Sequence, residues 1–263
     1  MTAISGAALV TGAAQRIGRA IALDLAERGH DVVIHYAGSA DEALKTAEDA
    51  RALGVKAAAL HADLLDRDAV SALVPQAVEA IGSPLRILVN NASIFEHDTI
   101  HNATHDNWDR HMGSNLFAPL FLSQAFAAQV PGGARDDRDE PVASAAIINL
   151  IDMRVRKPTP EFMTYSLAKS GLWALTKTMA QALAPNIRVN GIGPGPTLQG
   201  GRQSAEHFRD QRAATILERG SNPEEITGAV RFLLSNHGVT GQLLCVDGGQ
   251  HLGWETPDVL GVE

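Results

Sequence analysis

Thr11-Gly-Ala-Ala-Gln-Arg-Ile-Gly18 (TGAAQRIG) follows the apolar run Ala7-Ala-Leu-Val-Thr11 and opens a segment where Ile17, Ile21 and Leu25 recur every four residues. A strand, a glycine-bearing loop and a helix in that order predict a phosphate-binding turn. Gly12 allows the tight turn and Gly18 allows close packing. The head of the helix offers free N–H groups and a partial positive charge to a pyrophosphate. Arg16 stands where a third glycine is expected. It is read either as a solvated helix-start residue or as a positive group that serves the phosphates.

The 263 residues suit one domain, 1–263, with 45% apolar and 20% charged residues, an ordinary balance for a globular chain. The formal charge of -8 repels a phosphate backbone, and no basic patch offsets it, so nucleic-acid binding is not expected. The single cysteine, Cys245, lies in the apolar run Leu243–Val246 and reads as a small buried hydrophobe. No apolar run approaches membrane-spanning length and Met1-Thr-Ala-Ile-Ser5 is not a signal peptide, so a cytoplasmic protein is expected.

Further candidate strands are 31–36, 56–61, 86–90, 145–151, 187–192 and 243–246. Residues 41–53, 67–80, 105–129, 164–184 and 224–235 read as helices. Strands that are apolar on both faces and alternate with helices predict an α/β fold: one Rossmann-type, doubly wound parallel sheet of about seven strands. Two segments interrupt the pattern. The charged, proline-bounded stretch 131–141 reads as an exposed loop. The polar stretch 196–222 reads as a flap over a site.

Cofactor choice is expected where the second strand ends. An acidic residue there would bind ribose hydroxyls and repel a 2′-phosphate. Asp31 begins that strand instead, and its exit, His35-Tyr-Ala-Gly-Ser39, carries no carboxylate. With Arg16 this favours NADPH/NADP, since a charge-assisted arginine–phosphate contact contributes roughly 1.5–3 kcal/mol. Downstream, Tyr165-Ser-Leu-Ala-Lys169 places a phenol and an ammonium on one helical face. The expectation is that Lys169 lowers the Tyr165 pKa, readying the phenol to give a proton and take it back.

At this point the chain resembles the short-chain dehydrogenase/reductase family along nearly its whole length. The resemblance rests on TGAAQRIG, Asp63-Leu64, Asn90-Asn-Ala-Ser93, Asn115 in Gly113–Ala118, YSLAK (165–169), Gly193-Pro-Gly195 and Val246-Asp-Gly-Gly249. It implies that Asp63 and Leu64 contact adenine, and that Asn91, Ala92 and Ser93 line the cofactor cleft beside Gly12, Ile17 and Gly18. It implies further that Asn115 anchors a proton-relay water, Lys169 holds the nicotinamide ribose, and Pro194 and Gly195 flank the nicotinamide. A homotetramer packed through 105–129 and 164–184 is expected on the same ground.

Two departures narrow the resemblance. Arg16 replaces the middle glycine, and Asp152 replaces the serine thirteen residues before the tyrosine. An ionised carboxylate only accepts hydrogen bonds, so it suits a substrate that offers N–H groups or is protonated on nitrogen. Both departures are similar to the pteridine reductase and dihydromonapterin reductase subgroup, which also carries an aromatic after the fourth strand, here Phe95. That likeness implies a small pterin substrate stacked on Phe95, touched by Arg16 and Ser93, and served by Asp152 and Tyr165. It also implies that His35, Tyr36 and Ser39 face the adenosine end of the cofactor. Gly38 departs from the subgroup, which often has a second arginine there. Simpler readings stay open: Asp152 as the cap of a turn, Phe95 as packing under a loop. His97, His101 and His105 share a four-residue spacing, but Thr104 starts a helix between them, so no metal is expected. Competing functions are a carbonyl reductase of the same fold, acting on 3-oxoacyl or sugar substrates, and a catalytically silent NADP-binding protein.

Overall fold

The computed structural model describes residues 4–201 and 203–256. β1 (Ala7–Val10), α1 (Arg16–Glu27), β2 (Val32–Tyr36), α2 (Ala40–Ala52), β3 (Ala57–His61), α3 (Arg67–Ile81) and β4 (Leu85–Asn90) form the first winding. The second comprises α4 (His105–Met112), α5 (Ala118–Gln129), β5 (Ala134–Arg135), β6 (Pro141–Val142), β7 (Ala145–Leu150), α6 (Met163–Leu183), β8 (Ile187–Pro194), α7 (Ala205–Ala213), α8 (Pro223–Ser235) and β9 (Leu243–Val246). The seven-stranded sheet has the order β3-β2-β1-β4-β7-β8-β9, and every pairing in it is parallel. β1 and β7 are buried at every position, as strands covered by helices on both faces must be.

One core joins α1, α2 and α8 to the sheet through Ile21, Leu25, Val10, Ile148 and Val230. The other seats α3, α5 and α6 through Leu73, Ile81, Leu122, Phe126 and Met179. Chain order reverses between β1 and β4, so a crevice opens beyond their carboxyl ends, where α/β sheets bind ligands. Among the described residues no helix is long and apolar enough to cross a membrane.

Three segments differ from the sequence reading. Residues 105–129 are not one uniform helix: a π turn, Gly113–Phe117, separates α4 from α5 and contains Asn115. Such turns are frequent at functional sites. The stretch 131–141 is not a plain loop but the turn of a two-stranded ribbon, β5–β6, closed by Asp136, whose carboxylate accepts from the Arg138 and Glu140 amides. Residues 196–222 contain α7. Arg212 fastens that segment by donating to the Pro196, Gly220 and Ser221 carbonyls and to the Asn222 side chain.

Candidate active site

The carboxyl ends of β1 and β4 are laced together beneath the phosphate loop. Thr11 Oγ1 accepts from the Asn91 and Ala92 amides, and the Asn91 side chain donates to the Thr11 and Gly12 carbonyls at 2.8 and 3.0 Å. Gly12 has φ +60°, and a Cβ there would lie 2.9 Å from Ala92 Cα. At Gly18 a Cβ would lie 2.2 Å from the Gly12 carbonyl oxygen and 2.5 Å from the Asn91 amide nitrogen, so only glycine fits. The head of α1 has no side-chain cap and no acidic residue in its first turn. Its open amides suit an anion.

Arg16 adopts φ +57°, the left-handed conformation a glycine would take at no cost. For arginine this costs roughly 1–3 kcal/mol. Two hydrogen bonds offset it: the guanidinium donates to the Gln199 and Leu198 carbonyls at 2.9 and 3.1 Å. Arg16 is thus neither a free surface residue nor confined to the phosphate loop. It ties that loop to the 196–222 segment.

His35 lines the cleft beside the phosphate loop, as expected at the strand end, but its ring is turned into the protein. It is buried, with both ring nitrogens used inside the protein. Nδ1 accepts from the Gly12 amide at 3.0 Å, so Nε2 carries the hydrogen and donates to the Ala62 carbonyl at 3.0 Å. Burial lowers its pKa to about 4. His35 supports the loop from below, and Tyr36, Gly38 and Ser39 form the neighbouring wall. Ser39 Oγ accepts from the Gln15 amide at 3.2 Å, across the rim.

Three cavities meet end to end. The first, about 420 Å³, is lined by the phosphate loop, Tyr36–Ser39, Asp63, Leu64 and Asn91–Ser93. The second, about 180 Å³, is lined by Ile17, Asn91, Ser93, Asp152, Tyr165, Lys169, Pro194 and Gly195. The third, about 420 Å³, shares Asp152, Tyr165, Pro194 and Gly195 with the second, and adds Arg16, Phe95, Arg154, Lys157 and the 196–211 wall. The first two share Ile17, Asn91 and Ser93, and Tyr165 stands at the junction of the second and third.

At that junction the Tyr165 hydroxyl donates to Asp152 Oδ2 at 2.9 Å. Asp152 Oδ1 accepts from the Arg154 amide at 2.8 Å and caps the short turn Met153–Val155, so it is both turn cap and partner of the tyrosine. Dense packing raises the Asp152 carboxyl pKa against the Arg154 amide, the Tyr165 hydroxyl and the Arg154 and Lys169 charges. The Tyr165 pKa is also raised well above the usual phenol value, by burial first and then by the Asp152 charge. This reverses the sequence expectation. Lys169 shares the helical face but is not among the groups that shift the phenol; burial and the Asp152 carboxylate keep Tyr165 protonated against the Arg154 charge and the Ser93 hydroxyl. The Lys169 ammonium is buried, donates to the Leu150 carbonyl at 2.8 Å and lies 5.7 Å from the Tyr165 ring centre. Burial pushes its pKa down to about 8 and Asp152 draws it partly back.

Phe95 reaches the third cavity and meets the Tyr165 ring edge-on at 4.7 Å. It stacks on Phe162 with centroids 4.3 Å apart and planes 8° from parallel. Asn115 serves this wall: its side-chain amide donates to the Ile94 carbonyl and accepts from the Ile94 amide, both at 2.9 Å. Ser93 Oγ lies 3.4 Å from the Ile94 carbonyl and favours the ionised form of Tyr165 through a hydrogen bond. His97 pairs with Glu161 and touches Phe162 edge-on at 5.1 Å. Cys245 is half-buried, with its thiol pKa pushed up to about 11 by burial.

Sequence reasoning missed Phe162, Arg154 and a buried chain behind Tyr165. His111 Nε2 accepts from the Glu96 amide at 3.1 Å, so Nδ1 donates to Thr164 Oγ1 at 2.7 Å. Thr164 in turn donates to the Asp98 carboxylate, through both hydroxyl and amide. This chain fixes the first turn of α6, one residue before the tyrosine. No local motif marks it, because its members come from three separate segments.

A profile described as enoyl-(acyl carrier protein) reductase matches residues 12–251. The 3-oxoacyl-(acyl-carrier-protein) reductase FabG of Staphylococcus epidermidis is 34% identical over 250 residues, covering 93% of this chain and 98% of that protein. The chain belongs to the short-chain dehydrogenase/reductase family. Among solved structures, FolM alternative dihydrofolate reductase 1 from Brucella suis in complex with NADP matches with TM-score 0.90 at 42% identity, covering 98% of this chain and 100% of that one. The Brucella canis FolM complex with NADP matches with TM-score 0.88 at 40% identity, covering 99% and 100%. The seven-stranded parallel sheet is thus that of an oxidoreductase family.

Proposed function

We propose that this protein reduces a C=N bond of a pterin with NADPH. The observation that carries this reading is the 2.9 Å hydrogen bond from the Tyr165 hydroxyl to Asp152. A carbonyl reductase needs a donor beside the developing oxyanion, and a carboxylate opposes that charge. A ring nitrogen that becomes N–H is instead well served by an acceptor.

NADP(H) suits the residues present. The open head of α1 and the Gly12–Gly18 loop would hold a pyrophosphate, Asp63 and Leu64 would lie against the adenine, and Lys169 would hold the ribose beside Pro194 and Gly195. No carboxylate stands at the exit of β2 to repel a 2′-phosphate, and the FolM structures with NADP support the same choice. When bound, NADPH supplies a hydride. The substrate carbon gains that hydride, its ring nitrogen gains one proton, and C=N becomes CH–NH. Tyr165, held protonated by burial, gives the proton. Asp152 orients the phenol and shares the proton as it is replaced from solvent. Phe95, on its Phe162 support, offers an apolar plate for the flat ring, with Ser93 and Arg16 at its margins. The same reading carries a homotetramer packed through α4, α5 and α6, supported by the exposed apolar side chains Trp108, Leu120, Phe121 and Leu167.

The FabG relative favours a second reading, reduction of a 3-oxoacyl thioester. NADPH oxidation measured with dihydrobiopterin, dihydromonapterin, dihydrofolate and a 3-oxoacyl thioester analogue separates the two. Turnover of pterins is expected, with Asp152→Ser lowering it about 10²–10³-fold while NADPH still binds. Turnover of the thioester alone would overturn the pterin reading. So would an Asp152→Ser enzyme that keeps full pterin activity.

A further inference from the structure

The backbone on either side of Phe95 is held by one stretch of chain. Asn115, in the π turn, grips the residue before it, donating to the Ile94 carbonyl and accepting from the Ile94 amide, both at 2.9 Å. His111, four residues earlier and a neighbour on the helix surface, grips the residue after it: Nε2 accepts from the Glu96 amide at 3.1 Å. The imidazole has a second attachment on its other side. Nδ1 donates to Thr164 Oγ1 at 2.7 Å, and Thr164 directly precedes Tyr165. One buried ring thus joins the residue after the Phe95 plate to the residue before the proton donor.

The links close on themselves. The Thr164 hydroxyl, having accepted from His111, donates to Asp98, and the Thr164 amide donates to the same carboxylate at 3.2 and 3.4 Å. Asp98 lies two residues beyond Glu96, in the segment where the chain of bonds began. His111, Thr164 and Asp98 are all buried, where leaving a polar group unpaired is costly. The Tyr165 ring is flanked by the two groups so joined. It meets Phe95 at 4.7 Å and His111 at 6.0 Å, edge-on at 74° in both cases. None of His111, Thr164 and Asp98 lines any of the three cavities, so whatever they do for the reaction they do through their neighbours.

From this closure we infer that His111 is a positioning residue: through Glu96 and Thr164 it sets the distance and angle between the Phe95 plate and the Tyr165 hydroxyl. The inference rests on the pterin reading above and adds what keeps plate and proton donor in register. A flat ring stacked on Phe95 must present one nitrogen to Tyr165, and a misplacement of about 1 Å can slow such a transfer about 10²-fold. A neutral imidazole donates on one side and accepts on the other, as a two-sided link requires. Breaking the link should therefore lower kcat and spare the cofactor.

The test measures kcat and KM with 7,8-dihydrobiopterin, and Kd for NADPH, in the full-length protein. Thr164→Val keeps the shape of the side chain but removes both hydroxyl links. It should lower kcat about tenfold and leave the NADPH Kd within about twofold. Thr164→Ser restores the hydroxyl and should bring kcat back to within about threefold of the parent. His111→Gln keeps an acceptor for Glu96 but gives up the donor to Thr164, and should match Thr164→Val. Undiminished NADPH binding shows that each variant is folded, and either one suffices. A double-mutant cycle then separates registration from general support. Phe95→Leu removes the flat plate, so adding His111→Gln to it should cost less than about twofold further in kcat. Parental kcat in the folded variants, equal losses in kcat and NADPH binding, or losses that multiply in the cycle would each overturn the inference and leave the pterin reading standing. A parent enzyme that reduces no dihydropterin overturns both.

Discussion

At its cofactor end the cleft is walled chiefly by main chain: two glycines, the amides at the head of α1, and the Thr11–Asn91 lacing. At its substrate end it is walled by side chains from distant segments: Phe95 after β4, Asp152 and Arg154 after β7, Tyr165 at the start of α6, and Gln203 and Phe208 beyond β8. The first kind of wall admits little change, because a backbone oxygen 2.2 Å from a hypothetical Cβ has no rotamer to take. The second can be altered one side chain at a time. A fold so arranged keeps its cofactor constant while its substrate varies.

The sharpest way to break the cofactor wall is from beneath. His35 is neutral in the native state with its pKa lowered to about 4, against an ordinary value of 6.5. Between those values the unfolded chain binds the extra proton and the native chain does not. Native stability is therefore complete above pH 6.5 and falls as pH drops towards 4, by about 3 kcal/mol over the window. His35→Asn keeps one acceptor and one donor but does not titrate. Urea unfolding of both proteins at pH 6.5 and 4.5 should show a steeper loss for the parent, and equal losses would refute this role.

The same wall can be tested from within. Gly18→Ala places a methyl group against the Gly12 carbonyl and the Asn91 amide. The loop must shift at a cost of about 2 kcal/mol, raising the NADPH Kd roughly thirtyfold. Gly238→Ala, where the added carbon meets nothing within 4 Å, should leave binding within about twofold. NADPH fluorescence titration measures both, and a Gly18→Ala protein that binds like the parent would contradict the steric account.

How much of this could be read in the sequence follows the same division. The seven strands, Gly12 and Gly18 follow from apolar runs and from the glycine need of a tight loop, which are local rules. Tyr165, Lys169 and Asp152 came from resemblance and spacing, and the structure brings all three into contact range. The tyrosine pKa was read in the wrong direction, because spacing gives the facing residue and not the desolvation around it. His35 fell at the expected strand end, but nothing local shows that its ring turns inward to Gly12 and Ala62. Arg154, Lys157, Phe162 and the His111–Thr164–Asp98 chain were silent in the sequence because only tertiary packing assembles them. Arg16 was visible as an oddity, but its hold on Leu198 and Gln199 spans more than 180 residues.

The two walls are not independent at one point, and the smallest expected effect lies there. Lys169 belongs to the cofactor niche and Asp152 is shared with the substrate cavity, yet the carboxylate supports the ammonium. Burial lowers the Lys169 pKa to about 8, and the Asp152 charge opposes that fall. On the proposed role, in which the Lys169 ammonium holds the ribose, that group is present at pH 7 and lost as pH rises through 8. One unit above that value about a tenth of it remains, so kcat/KM for NADPH should fall about tenfold between pH 7 and 9. Asp152→Asn removes the opposing charge without changing the shape of the side chain, so the fall should begin at lower pH. A substitution in the substrate cavity would then change a titration in the cofactor niche. A pH profile of kcat/KM for NADPH in both proteins, with a slow substrate kept saturating, decides it: an unmoved break would mean that Lys169 titrates without regard to Asp152, and the two halves of the cleft would be separate after all.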